Sequence, residues 1–409
     1  MIEGLKTKTD IQVDSSIIRA RFDDVFELYL GKTPSRGKQS YWGGHNTWVS
    51  IGDMSCGKYI SSTKEGITDT AVEDTGIHQV KKGTVIMSFK LSIGKVCIAD
   101  TDLYTNEAIM AFVTKPLYSI LPDYLYYYLM AYKWECGNEV VKGVTLNKKT
   151  ISASTITFPK SLYEQQRIVD ILDAEFEKID TLKENAERNL QNAKVLFQSV
   201  LRKELEPKEG WKTVSIGDIA DLKGGKRVPK GYKLETESTG YPYIRVADFN
   251  ENGSIDMDDI HYISKAVYEG IKRYIITTDD VYISIAGTIG KSGIIPRELN
   301  GANLTENACR LVLKGDINNK YIYYCTIDSQ FKAQITKLTM QAAQPKLALT
   351  RLSTVTISVP PRSIQDKIVE VISGLNDRCK ALQENYEKTV SLCNDLKQSL
   401  LRKAFSGEL

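Results

Sequence analysis

The chain has 409 residues, 42% of them apolar and 26% charged, which is enough for two or three domains that each bury a core. A formal net charge of +3 falls well short of the excess that marks many stand-alone nucleic-acid binders, so tight unaided DNA binding is not expected; positive charge must be locally arranged or supplied by a partner. Seven cysteines (Cys56, Cys97, Cys136, Cys309, Cys325, Cys379 and Cys393) form no CxxC pair and no zinc-like spacing with His45, His78 and His261. A reducing cytoplasm fits them, with the thiols as buried small hydrophobes. Met1 to Ala20 mixes Lys6, Lys8, Asp10, Asp14 and Arg19 with no apolar run, so neither a signal peptide nor a membrane span is expected there or further on, and the protein is expected to be cytoplasmic.

In chain order, short apolar or alternating runs bounded by Gly, Asp, Asn or Lys predict strands at Val85–Phe89 and Ile109–Val113, and the Tyr-rich segment 121–134 predicts a short helix. From Glu164 to Leu205 no Pro or Gly intervenes, and apolar residues fall in steps of three and four at Ile168, Leu172, Ile179, Leu182, Ala186, Leu190, Ala193, Leu196 and Val200, with polar Glu175 breaking the seam once. So narrow a stripe predicts a coiled-coil helix. Further on come strands at Val281–Ile285 and Cys309–Leu313 and a second Tyr-rich helix within 317–332. A second long helix follows, with its stripe at Ile368, Ile372, Leu375, Cys379, Leu382, Tyr386, Val390, Cys393, Leu396 and Leu400.

The second half repeats the first. Leu182, Glu184, Asn185 and Glu187 recur as Leu382, Glu384, Asn385 and Glu387, and Ser199 to Lys203 recurs as Ser399 to Lys403, at an offset of 200. Upstream, Trp48 to Met54 answers Tyr243 to Phe249, Ser88 to Lys95 answers Ser284 to Lys291, Tyr124 to Tyr128 answers Tyr321 to Cys325, and Phe158-Pro159 answers Val359-Pro360. The offsets drift from 195 to 201, as they do when loops vary and the elements between them do not. The predicted fold class is α+β. Two tandem domains, 1–163 and 207–363, are joined by long helices at 164–206 and 364–409. The most favourable partner for each stripe is the other copy, and connectivity makes the pairing antiparallel. Each helix would be about 60 Å long, giving a rigid rod with a domain at either end, related by a pseudo-twofold axis.

Gly31-Lys-Thr-Pro-Ser35, Tyr41-Trp-Gly-Gly44 and Trp48 to Met54 in the first half, Gly224-Gly-Lys-Arg-Val-Pro229 and Tyr241 to Val246 in the second, the SIGK and TIGK segments, and the Pro-x-x-x-x-(x)-Gln-x-x-Ile-Val helix starts together resemble specificity subunits of type I restriction-modification systems. The resemblance covers the chain after Arg19. It implies two target recognition domains, each reading one half of a bipartite site in double-stranded DNA, with the helices acting as a ruler and as the docking surface for two modification subunits. Restriction subunits join in the full complex. S-adenosylmethionine and ATP belong to those partners, and the chain itself is expected to carry no cofactor, no metal and no catalysis.

The residues agree with that implication. Gly287 to Ser292 ends in GKS, but a phosphate-binding loop needs a glycine where Ile285 stands, and the first-half copy Gly94-Lys95-Val96 has no hydroxyl. No methylase tetrapeptide, HExxH or G-x-S-x-G pattern is present, which counts against a self-sufficient methyltransferase. Two elaborated domains with divergent loops count against a purely structural coiled coil. Base edges and phosphates need Arg, Lys, Gln, Asn or hydroxyl groups at close approach. The candidate DNA contacts are therefore Arg36, Lys38, Gln39, Tyr41, His45, Lys90, Lys95, Lys142, Asn147 and Lys148 in the first half. In the second half they are Lys226, Arg227, Lys230, Lys233, Lys291, Gln341, Gln344 and Lys346. The tyrosines of the two Tyr-rich segments are left out, because their helical spacing points to a core or a partner-facing surface.

Overall fold

The computed structural model describes residues 16–55, 57–134, 146–339 and 346–408. The chain divides into two compact units, Met1–Asn185 with Thr389–Leu409, and Ala186–Lys388, so each unit holds part of both long helices.

In the first unit the strands Phe26–Leu30, Ile109–Thr114, Val85–Ser88, Val96–Ala99 and Tyr59–Ile60 form one sheet in that spatial order, antiparallel except at its last pair. A second sheet sets Trp42–Val49 between Glu65–Ile67 and Tyr104–Thr105, and Ile17–Arg21 pairs with Thr155–Pro159. Val85–Ser88 is buried along its whole length, which is why it reads as a continuous apolar run. The second unit repeats the plan. Ala220–Gly224, Ala308–Leu313, Val281–Ser284 and Ser292–Gly293 form one sheet, Pro242–Ile244 lies between His261–Tyr262 and Asn303–Leu304, and Lys212–Ser215 pairs with Thr356–Val359.

The first Tyr-rich helix is Pro122–Ala131, whereas the second segment is two helices, Asn319–Ile327 and Ser329–Thr339. Asp328 makes the break. Its backbone is extended at ψ 148° and its carboxylate accepts the Gln330 N–H at 2.7 Å, capping the helix that follows. The tyrosines face inward: Tyr124 and Tyr128 meet the Phe405 ring edge-on at 5.4 and 5.2 Å, and the Tyr324 hydroxyl pairs with Ser373 at 2.9 Å.

The long helices are Leu162–Leu205 and Arg362–Ser406. In the first unit Lys397 Nζ donates to Asp180 at 2.5 Å and Lys183 Nζ donates to Asn394 at 3.3 Å. Three residues forward on one helix match three back on the other, so the pair is antiparallel. In the second unit Leu201 and Phe197 pack with Ile368, Val369 and Ile372, and Lys194 and Phe197 share a cleft with Gln383 and Cys379 in the same antiparallel sense. The buried seam differs from the one read off the sequence. Phe176 fills the gap expected at Glu175, while Leu182, Leu196, Leu382 and Leu396 are 56%, 52%, 42% and 49% exposed. Apolar spacing of three and four does not say which of two neighbouring apolar positions turns inward.

Each long helix begins on a buried glutamine. Gln165 Oε1 accepts the Leu121 N–H at 2.9 Å and its Nε2 donates to the carbonyls of Ser119 at 3.0 Å and Pro159 at 2.8 Å. Gln365 accepts the Asn318 N–H at 2.9 Å and donates to the Pro360 carbonyl at 2.8 Å. The repeated Pro and Gln at the helix starts are therefore a structural clamp between the helix, the strand before it and the loop leading into the Tyr-rich helix. Gln165→Leu orphans three backbone groups at a site of 0% exposure and should cost on the order of 3 kcal/mol, read as a lowered urea midpoint of the full chain.

Candidate nucleic-acid interface

In each unit the loop after the first sheet strand is fastened by the same backbone frame. Gly31 N donates to Ile109 O at 3.2 Å and Lys32 N to Thr105 O at 2.9 Å; Gly225 N donates to Ala308 O at 3.0 Å and Lys226 N to Leu304 O at 2.8 Å. A Cβ on Gly31 would sit 2.0 Å from the Thr105 carbonyl oxygen, and one on Gly225 would sit 2.1 Å from that of Thr305, so both positions need glycine. Different aromatics then hold the same carbonyl. Trp48 Nε1 donates to Lys32 O at 3.0 Å, and the Tyr243 hydroxyl donates to Lys226 O at 2.9 Å. The frame is common to both units and the side chains around it are not.

On the first frame Arg36 lies over the Trp42 ring at 3.8 Å and grips Glu65 with two hydrogen bonds of 2.7 and 2.9 Å. That contact raises the Arg36 pKa and lowers that of Glu65. Lys38 Nζ donates to the Tyr41 hydroxyl at 2.9 Å and to Asp74 at 2.9 Å, and Tyr41 donates to Asp74 at 2.7 Å. Tyr41 is buried, while Gln39 is exposed beside it. His45 is exposed and stands 3.6 Å from Asp69. Arg36, Lys38, Gln39, Tyr41 and His45 therefore belong to one surface, and exposed ion pairs of this kind contribute only about 0–1 kcal/mol, so a phosphate or base edge could displace the carboxylates at little cost.

The other candidates are more scattered. Lys95 Nζ turns back to Ile51 O at 3.3 Å and Ser55 Oγ at 2.8 Å, and Lys291 Nζ reaches Phe249 O at 3.4 Å and Glu251 at 2.6 Å. Both lysines fasten the SIGK and TIGK turns onto the preceding segment. Inside those turns Ser88 Oγ donates to Ser92 O and Ser284 Oγ to Thr288 O, a hairpin closure rather than a phosphate loop. Lys90 lies 5.4 Å from the Phe89 ring. Asn147 caps the helix Lys148–Ala153 by accepting the Thr150 N–H at 2.9 Å, with Lys148 exposed next to it. Arg227 donates to Glu306, Lys226 has its Nζ 5.8 Å from the Tyr274 ring, and Lys230, Lys233 and Lys346 are exposed. Lys142, Gln341 and Gln344 lie outside the described residues.

Sequence reasoning did not find the acidic partners Glu65, Asp74, Glu107 and Glu306, which accept from Arg36, Lys38, Thr33 and Arg227 across loops far apart in sequence. Nor did it find Arg245, clamped on Asp248 and Asp259 by its Nη2, the latter at 3.0 Å. Among the described residues no group of three His, Cys, Asp or Glu side chains could hold a metal ion, and no helix is long and apolar enough to cross a membrane. Burial pushes the Cys309 and Cys325 thiols up to about 12, which keeps them unreactive.

A duplicated frame that presents divergent polar loops is the pattern of a two-part reader, and comparison with known proteins says which one. The type I restriction modification DNA specificity domain matches residues 20–191 and again residues 208–391, so the chain belongs to the family of type I restriction-modification specificity subunits. It is 24% identical over 419 residues to the type I restriction enzyme MjaIX specificity subunit of Methanocaldococcus jannaschii, covering 95% of this chain and 92% of that one. To the EcoBI specificity subunit of Escherichia coli it is 24% identical over 316 residues, covering 71% and 65%. The fold is similar to that of a chain solved in work on complex assembly and conformational transition of the type I R-M system, with a TM-score of 0.76, 17% identity and coverage of 97% and 99%. It is also similar to the HsdS subunit from Thermoanaerobacter tengcongensis, with a TM-score of 0.54, 17% identity and coverage of 99% and 100%.

One position on this surface is strained. Leu91, next to Lys90 at the tip of the SIGK turn, has φ +61° and is 85% exposed, whereas the matching position in the other unit is Gly287 at φ +73°. A left-handed backbone costs a side-chain-bearing residue about 1–2 kcal/mol, and Leu91 recovers none of it by burial. Leu91→Gly should therefore stabilise the first unit by about 1 kcal/mol, seen as a higher melting temperature by circular dichroism.

Proposed function

We propose that the chain is the non-catalytic reader of a bipartite DNA site. Residues 1–163 and 207–363 each recognise one half-site, and the helices at 164–206 and 364–409 set the spacing and carry two modification subunits. S-adenosylmethionine and ATP chemistry then belongs to those partners, and restriction subunits join the same assembly. The observation that carries the reading is the pair of identical backbone frames at Gly31 and Gly225 with unlike side chains around them: Arg36, Lys38, Gln39, Tyr41 and His45 on one, Lys226, Arg227, Lys230 and Lys233 on the other. Lys90, Lys95, Lys142, Asn147, Lys148, Lys291, Gln341, Gln344 and Lys346 complete the proposed DNA contacts. Two readers with one scaffold and different loops suit a split site with unrelated halves.

The stoichiometry of two rests on the exposed leucines. Leu182 lies within one residue of the level of Leu396 in the first unit's helix pair, and Leu196 and Leu382 are exposed on the second's helices, so each unit offers the same two exposed leucines. An exposed apolar pair recurring at an offset of 200 suits two copies of one partner. Leu182→Lys with Leu396→Lys should leave the fold intact and reduce the number of bound modification subunits from two to one, counted by native mass spectrometry of the co-expressed complex.

The functional test is domain exchange. With residues 207–363 replaced by those of a relative, methylome sequencing should show one half of the methylated motif changed and the other kept. A change in both halves, or in neither, would show that the two domains are not independent readers.

A further inference from the structure

The second unit carries a cationic cleft that the pairing pattern described so far does not use. On its main sheet Lys223 stands directly opposite Arg310 in the antiparallel ladder. Like charges directly opposite one another destabilise a sheet. Arg310 is compensated by Asp280, which accepts from its Nη1 at 2.8 Å, the two side chains being 14% and 4% exposed. Lys223 forms no ion pair among the described residues, and Asp221, two residues back on the same face, is held by Lys314 at 2.7 Å. Across the cleft Arg273 donates to the Tyr274 hydroxyl at 3.3 Å, with its guanidinium carbon 5.2 Å from that ring, and Lys226 Nζ lies 5.8 Å from the same ring. Lys223, Gly224, Gly225, Arg273, Tyr274 and Arg310 line a volume of about 400 Å³.

The first unit has no such charge at the matching place. Gly31 occupies the position of Gly225, and two residues back the strand holds Tyr29 opposite Ala111 where the second unit has Lys223 opposite Arg310. Tyr29 stacks on His78 at 3.7 Å and 4°, and its hydroxyl donates to Glu27 at 2.5 Å. Burial lowers the His78 pKa, so the ring is neutral at pH 7. Lys32, the counterpart of Lys226, donates its Nζ to the Thr75 and Gly76 carbonyls at 2.7 and 3.3 Å, at the end of a short helix. The strand position that holds an aromatic pair in one unit holds Lys223, without an ion pair among the described residues, in the other.

We propose that the cleft formed by Lys223, Arg273 and Tyr274 binds a phosphodiester of the duplex DNA backbone, an anchor that the first domain lacks. The proposal rests on the reading of the chain as a DNA-binding specificity subunit. Two cations that form no ion pair among the described residues offer a phosphate both charge and a forked guanidinium donor, and the arriving anion offsets the charge of Lys223, which stands opposite the Asp280-paired Arg310. The grip is indifferent to sequence, so its signature is salt dependence.

The test measures binding of the full-length chain to a labelled 30-base-pair duplex by fluorescence anisotropy across 50 to 200 mM salt. The wild type is set beside Lys223→Gln with Arg273→Gln, and beside the control Lys82→Gln, which removes one exposed first-unit charge paired with Asp100. The double variant should fold as the wild type does by circular dichroism and bind several unrelated duplexes uniformly more weakly. Its log–log salt slope should be shallower by about 1, because the one phosphate contact contributes about 0.9, while Lys82→Gln leaves the slope unchanged. Wild-type binding with an unaltered slope in the double variant overturns the cleft and spares the functional reading; a wild-type chain that binds no duplex at 50 mM salt even with its modification subunits present overturns both. Inorganic phosphate at constant ionic strength provides the remaining arm. A rise in wild-type melting temperature that the double variant lacks, with no change in the duplex slope, would assign the cleft to a free anion and overturn the DNA assignment.

Discussion

The rest of the molecule depends on two apolar helix stripes that neither helix can bury alone. An isolated helix of 44 residues with a narrow apolar seam exposes that seam to water, and each fully buried Leu or Ile contributes about 1.5–3 kcal/mol only when a partner covers it. The partner is the second long helix, some 200 residues further on. The antiparallel pairing sends the C-terminal segment into the first unit, where Leu401, Ala404 and Phe405 join the core built on Phe22, Phe112 and Tyr128. The N-terminal part of the second helix, with the C-terminal part of the first, completes the core built on Tyr321 and Ile283. Neither unit owns a complete core from one contiguous stretch of chain, so the two ends of the sequence are bound together by packing.

That constraint explains where sequence variation is tolerated. Gln165 and Gln365 fix where each long helix leaves its domain through side-chain hydrogen bonds to backbone groups, and Gly31 and Gly225 fix where each loop crosses the sheet edge because a Cβ there would meet a backbone carbonyl oxygen. Between those fixed points the side chains are at liberty. Trp48 and Tyr243 hold the same carbonyl with different donors, and Arg36 has no counterpart of its kind on the second frame, where Arg227 meets Glu306 instead. Specificity can diverge without touching the scaffold because the scaffold is held by main-chain contacts and by residues buried beneath the loops.

Much of this was legible in the sequence, for reasons that also mark where legibility stopped. The duplication, both long helices and the short strands show because periodicity and repetition are properties of the chain itself. Which apolar residue faces the seam does not show: Phe176 and Phe197 turn inward while Leu182 and Leu196 remain outside, and only the register with the second helix decides it. Asp328 looked like one more polar residue in a helical stretch, but its side chain caps the next turn and splits the helix. Lys95 and Lys291 read as exposed loop cations, yet both reach back to carbonyl oxygens more than 40 residues away in sequence. The carboxylates that hold Arg36, Lys38 and Arg227 are likewise distant in sequence, so charge counting along the chain could not reveal that these candidate cations are already paired.

That pairing changes how the small net charge should be understood. A formal +3 spread over the surface gives little attraction for DNA, but a surface whose cations sit beside weakly held carboxylates has a low field at rest and can present its cations when a phosphate displaces their partners. Arg36 is held over the Trp42 ring as well as by Glu65, so loss of the carboxylate contact would leave one of its two supports in place. Lys223 and Arg273, beside Tyr274, differ in forming no ion pair among the described residues, with Lys223 facing an Arg310 that Asp280 already holds. On the proposed reading, such a chain binds DNA weakly by itself and searches by the cations that are not held by carboxylates. The same reading has the paired cations engage only where loop shape, bases and backbone all fit, which would leave non-specific DNA largely ungripped.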